Sequence, residues 1–303
     1  MDNEVSENTY QVTVPARLRL ENIRGSVVIS PGNDGEIYVR AEKQAEGKHA
    51  QDTQVVMEQT SDGQVIVKTR CFQEIMSLFH SHPCRVDYTV RLPRQSEAEV
   101  RVVSSSLSIT GLEGKFRFDS VSGEVHLENL TGPVKLATVS GSVSGSGVSG
   151  ALEVNTVSGD VRLEASNIPS LHAETVSGTL HFATSLGEGP YHANSVSGDL
   201  RLSLPLNTRC TVETNSLSGR ADVELPMTSK QRSHGRMRAD VNGGGTLVQL
   251  KSISGNLVIH SDGTQSAEAT PQPKAKINTK EVLEKINQGE MTVDEGLAIL
   301  NRA

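Results

Sequence analysis

Four side chains of metal-ligand type fall within one short stretch, CFQEIMSLFHSHPC at 71–84: Cys71, His80, His82 and Cys84. Thiolates and imidazoles are the donors that tetrahedral zinc takes, but this spacing matches no standard finger. The plainer reading is a loop whose Phe72, Ile75, Met76, Leu78 and Phe79 pack onto the fold. Left exposed, the same apolar run would touch a partner or a membrane. A second pair, His172 and His192, is spaced to meet on neighbouring structural repeats, yet two imidazoles without a third donor make a weak metal site. A third group, Arg162, His181 and Arg201, forms a basic run able to meet an anionic head group or polymer. Asp160, Glu164 and Asp199 flank it and would largely neutralise it.

Other chemistries lack their residues. Calcium-binding nonapeptide rolls need an aspartate column, and Asp119 and Asp160 stand isolated. Solenoid glycosidases and lyases need paired carboxylates on one sheet, and the outward positions here are mixed in charge. No nucleophile elbow, phosphate loop or dinucleotide fingerprint is present. The expectation is a protein with no catalytic residues, no cofactor and no resident metal.

The elements that carry these residues are set by glycine. From Gly114 to Gly159 a glycine returns every nine residues, at 114, 123, 132, 141, 150 and 159. Apolar residues recur at the second, fourth and seventh positions after it, as in Val125, Leu127 and Leu130. Alternation of this kind predicts a short strand with one buried face, followed by a tight corner that the glycine makes possible. Every second corner stays constant: SVSG at 120–123, TVSG at 138–141, 156–159 and 175–178, SVSG at 195–198, SLSG at 216–219 and SISG at 252–255. Their glycines are separated by 18, 18, 19, 20, 21 and 36 residues, so all growth falls in the other half of each pair. The structural unit is therefore a two-strand coil with one constant edge and one edge that carries loops.

Short strands that cannot bury their apolar face alone must stack on their neighbours. The pattern predicts a mainly β protein, a parallel β-solenoid with two short strands per coil of about 18–21 residues. The corner serines, Ser122 through Ser254, are expected to form a hydroxyl column in chain order that bonds neighbouring backbone. Val157 and its equivalents are expected to point inward, and residues 226–245 to protrude as a loop. Residues 1–95, containing one copy of the template (Leu18, Leu20, Ile23, Gly25, Val27, Ile29), are expected to form an N-terminal β cap. Residues 96–260 then make the repeat domain.

The end of the chain differs in kind. Residues 261–277 have the Ser/Thr/Pro/Ala composition of a flexible linker. In 278–303, Asn278 with Glu281 and Thr292 with Glu295 fit capping-box spacing, which predicts a small α-hairpin. Its apolar stripe of Val282, Ile286, Val293, Leu297 and Leu300 exceeds what two short helices can hide, so it is expected to self-associate or bind a protein partner.

Whole-chain numbers narrow the class. Thirty-six acids against 29 bases give a net charge of −7, and aromatic residues make up 3%. Nucleic-acid binders carry a basic stripe and stacking aromatics, so none is expected as a partner. No apolar run approaches the ~20 residues of a membrane span, and the start MDNEVSENTYQVTV shows no basic and apolar leader. Three cysteines make a poor disulfide framework. A cytoplasmic protein is the expectation, with a membrane-associated partner left open.

The iterated Ser/Thr–Val/Leu/Ile–Ser–Gly–x–Val/Leu pattern across roughly 105–260 resembles the bacterial putative-adhesin family of β-strand-repeat proteins. The end EVLEKINQGEMTVDEGLAIL resembles a SHOCT-like helical domain. The resemblance implies a non-enzymatic solenoid associated with bacterial envelope-stress systems. Two alternatives stay open: a carbohydrate-binding or carbohydrate-active solenoid, and an exported surface adhesin.

Overall fold

The computed structural model describes residues 2–45, 53–71, 84–233 and 235–261. The chain divides into two units, 1–265 and 266–303, and the second lies outside the described residues. So do the expected α-hairpin and its stripe.

The first unit is a parallel β-solenoid. Chain order begins with β1 (Asp2–Gln11), β2 (Ala16–Pro31), β3 (Glu36–Ala45), β4 (Thr53–Gln59), β5 (Val65–Cys71), β6 (Arg85–Leu92) and β7 (Ser96–Thr110). The regular coils follow: β8 (Phe116–Ser120) with β9 (Val125–Glu128), β10 (Val134–Thr138) with β11 (Val143–Ser146), and β12 (Leu152–Thr156) with β13 (Val161–Ile168). Then come β14 (Leu171–Thr175) with β15 (Leu180–Leu186), and β16 (Tyr191–Ser195) with β17 (Leu200–Leu204). The last strands are β18 (Cys210–Ser216), β19 (Ala221–Val223), β20 (Met227–Ser233), β21 (Arg236–Val241), β22 (Thr246–Ser252) and β23 (Leu257–Ser261).

First-half strands stack in parallel on first-half strands, residue for residue: Val134 faces Phe116 on one side and Leu152 on the other. Second-half strands do the same, Val143 lying between Val125 and Val161. β2 and β7 are long enough to supply both halves of a coil, and they pair along most of their length. Alternate residues turn inward to one aliphatic core, for example Leu127, Leu163 and Leu202, each 0–2% exposed. This is the cheapest burial for a chain so poor in aromatics, because each coil covers the apolar face of the next.

Both ends leave chain order. β5 and β6 stack in parallel on the outer side of β2, while β7 takes its inner side. β4 and β3 close that end antiparallel, and β1 covers β3. At the other end β22 and β23, last in sequence, insert between β16–β17 and β18–β19. The corner column therefore runs Ser197, Ser254, Ser218 rather than in chain order, since Ser254 N–H donates to Val196 O and Ser218 N–H to Ile253 O.

The expected loop at 226–245 is a β-hairpin. β21 lies antiparallel on the outer edge of β18, with Met237, Ala239 and Val241 buried. β18 would otherwise expose a row of unpaired backbone groups, so the segment is a cap and not an excursion. Its outer strand β20 is exposed throughout and carries Lys230 and Arg232, charges of the kind that blunt an edge. Arg232 Nη2 also donates to Ala221 O (2.8 Å), covering a carbonyl of the short edge strand β19.

Candidate functional site

Three of the four letters of the constant corner have separate structural tasks. The first hydroxyl is buried: Thr156 Oγ1 accepts from Gly159 N–H (3.0 Å) and donates to Gly159 O (3.1 Å), and Thr138 does the same with Gly141. The third residue is exposed, and its hydroxyl donates to a valine carbonyl one coil away, as from Ser140 to Val121 and from Ser158 to Val139. The hydroxyl column thus bonds neighbouring backbone. The glycine lies under the glycine of the adjacent coil: a Cβ on Gly141 would stand 2.1 Å from Gly123 O. These glycines need no left-handed backbone, whereas Gly114, Gly132 and Gly150 on the other edge have φ of 117–147°.

The second letter is the one the fold does not use. Val121, Val139, Val157, Val176 and Val196 are 44–48% exposed, which corrects the inward placement expected for Val157. The reason is strict alternation: the strand continues through the inward Ser120 or Thr138, so the next residue must face out. On the other edge a left-handed residue, Asn129 (φ 51°) or Gly147 (φ 67°), shifts the phase by one and sends Leu130 and Val148 into the core.

Stacking turns these valines into a ladder. In spatial order it runs Ile23, Val103, Val121, Val139, Val157, Val176 and Val196, then Ile253 and Leu217. At about 4.8 Å per rung it extends roughly 38 Å. It presents on the order of 500 Å² of apolar surface, the size at which a patch is often functional. Beside it runs a furrow of about 980 Å³, whose floor holds the buried hydroxyls Ser120, Thr138, Thr156, Thr175 and Ser195. The ladder is one wall. The other is polar, with Arg101, Asp119, Ala137, Asn155, Glu174 and Asn194 on successive coils. Arg101 pairs with Glu99 (2.6 Å) and Asp119 (3.4 Å).

Val157→Asp is expected to change stability by less than about 1 kcal/mol, as befits a half-exposed site. Thr156→Val keeps the shape but strips both bonds to Gly159, and is expected to cost about 1–3 kcal/mol. Urea unfolding of the two variants decides it; the reverse ranking would mean that Val157 faces the core.

The other candidate residues occupy different places. Arg162, His181 and Arg201 do stand side by side on β13, β15 and β17. Arg162 is held by Glu164 (2.7 Å) and Arg201 by Asp199 (3.5 Å). The His181 side chain is only 16% exposed. Its Nε2 and that of His260 both lie 2.9 Å from Ser203 Oγ, and burial pushes the His181 pKa below the ordinary imidazole range. His172 and His192 are adjacent on β14 and β16. Among the described residues no group of three or more His, Cys, Asp or Glu could hold a metal ion. His80 and His82 lie outside the described residues, as do Val282, Ile286, Val293, Leu297 and Leu300. The ladder escaped sequence reasoning because valine in a β repeat reads as core.

No curated protein matches the chain significantly. Solved structures similar to it include a putative adhesin from Parabacteroides distasonis, at 11% identity over 86% of this chain and 98% of that one, with a TM-score of 0.42. Another is a putative adhesin from Bacteroides fragilis, at 10% identity over 84% and 97%, with a TM-score of 0.35. A third is a putative cell adhesion protein from Clostridium sporogenes, at 12% identity over 85% and 100%, with a TM-score of 0.26. The Toastrack DUF4097 family profile matches residues 16–260, most of the described solenoid, and the chain belongs to that family.

Proposed function

We propose that this protein is a non-catalytic interaction scaffold and that the furrow beside the valine ladder is its docking surface. One observation carries the reading. Three of the four corner letters build the solenoid, while the second places an exposed aliphatic side chain on coil after coil without contributing to the core. A contiguous apolar stripe rimmed by polar residues is the form of a protein-binding surface. The polar wall supplies no aromatic platform for sugar stacking. That favours a protein over a glycan. Residues 278–303 would add a second contact through Val282, Ile286, Val293, Leu297 and Leu300, and the link to envelope stress rests on the resemblance alone.

The test is site-specific photocrosslinking in native cells. A photoreactive residue at Val157 is expected to give protein adducts, and one at Ser144, exposed on the other sheet, to give none. Equal labelling from the two positions, or none from Val157, removes the furrow as a docking surface.

A further inference from the structure

We propose that the occupant of this furrow is a second copy of the same chain, related by a two-fold axis that passes at Ala137 and Val139. The proposal rests on the docking reading above and goes further by naming the partner. Spacing is the first argument. The ladder repeats every ~4.8 Å. A helix laid along it repeats every ~5.4 Å and drifts by most of a turn over the furrow's length. An extended strand laid along it presents one face every ~6.6 Å and misses most rungs. Another ladder of this kind meets every rung, as identical side chains do when two sheets interdigitate.

Charge is the second argument. The polar wall reads, coil by coil, Glu21, Arg101, Asp119, Ala137, Asn155, Glu174 and Asn194. Reversed on itself about Ala137, it sets Arg101 against Glu174 and Asp119 against Asn155 of the other copy. Alanine, the smallest wall residue, falls where the copies approach most closely. Within these seven coils no like charges oppose each other; the next pair outward is Lys68 against Lys251.

Area is the third. Seven rungs with the facing wall offer roughly 600 Å² from each copy, hence about 1,200 Å² in total, the lower bound of a specific interface. An isologous contact of this kind closes at two and leaves only the rungs Ile253 and Leu217 outside it.

Sedimentation equilibrium of the full chain tests the proposal, with circular dichroism confirming the fold of each variant. The wild type is expected at twice the chain mass. Val139→Lys sets two lysines against each other on the axis and is expected to weaken association at least 100-fold. Arg101→Glu is expected to weaken it at least 10-fold, and Arg101→Glu with Glu174→Arg to restore it to within about threefold. Within one chain these two residues are four rungs apart, about 19 Å, so recovery can only come from between copies. A monomeric wild type at 100 µM overturns the proposal. So does a dimer indifferent to Val139→Lys, which would be held elsewhere, for example through residues 278–303. Failure of the double variant to recover overturns it as well. If the wild type is monomeric while Val157 still crosslinks to other proteins, the second copy falls and the docking surface stands; loss of the Val157 adducts removes the docking surface itself.

Discussion

Gly141→Ala is expected to destabilise the solenoid by about 3 kcal/mol or more. The new Cβ would sit 2.1 Å from Gly123 O and 3.2 Å from Ser120 Oγ. Overpacking a core typically costs 1–3 kcal/mol because side chains can shift. Here the opposing atom is backbone, and its coil is pinned on both sides by inter-coil hydrogen bonds: Val121 N–H to Val102 O on one side, and Val139 N–H to Ser120 O on the other. Gly159, whose own Cβ would meet Gly141 O at 2.2 Å, prevents the strain from being passed to the next coil. For a domain of this size that energy lowers Tm by roughly 10 °C. Thermal melting beside Ser142→Ala, an exposed neighbour, measures it. A Gly141→Ala melt within about 2 °C of wild type would show that these corners do not stack glycine on glycine.

Deleting residues 227–244 is expected to cost on the order of 5 kcal/mol and to bring on aggregation. The cut removes Met237, Ala239 and Val241, all 0–3% exposed, and each buried aliphatic side chain larger than alanine contributes roughly 1.5–3 kcal/mol. It also frees the outer edge of β18, where six residues from Cys210 to Asn215 lose their antiparallel partner. An open edge of this length recruits other chains. Two point variants separate loss of burial from loss of the loop. Ala239→Asp buries an unpaired carboxylate and is expected to cost several kcal/mol, whereas Lys230→Asp, on the exposed strand β20, is expected to stay within ±0.5 kcal/mol. A deletion variant that melts like wild type and stays soluble would reduce the hairpin to a dispensable excursion.

The amino-acid sequence by itself determines the coil. A nine-residue glycine period with apolar residues at its second and fourth positions admits only short strands that bury one face, and such strands are stable only when stacked. The corner hydroxyls and the constant edge are legible for the same reason, because each depends on contacts one coil away and the period supplies that neighbour. The seventh position is legible only in part. Asn129 and Gly147 mark the corners where a left-handed residue turns Leu130 and Val148 inward, while Ser120 and Thr138 at the same step mark corners where Val121 and Val139 stay outside. The distinction is written in the sequence, but as backbone conformation and not as hydropathy, so a hydropathy reading assigns both to the core.

What only the tertiary structure decided is the order at the ends and the existence of the furrow. Nothing local in 246–261 says that it will slide between the coils of 191–204 and 210–223; the strands of all three match the same template, and the choice falls to the hairpin that must cover β18 from outside. The furrow is a collective object of the same kind. Val139 alone is an ordinary exposed valine, and it becomes one wall of a binding surface because parallel stacking in register sets its equivalents above and below it. Period dictates the rung, and stacking dictates what the rungs face together.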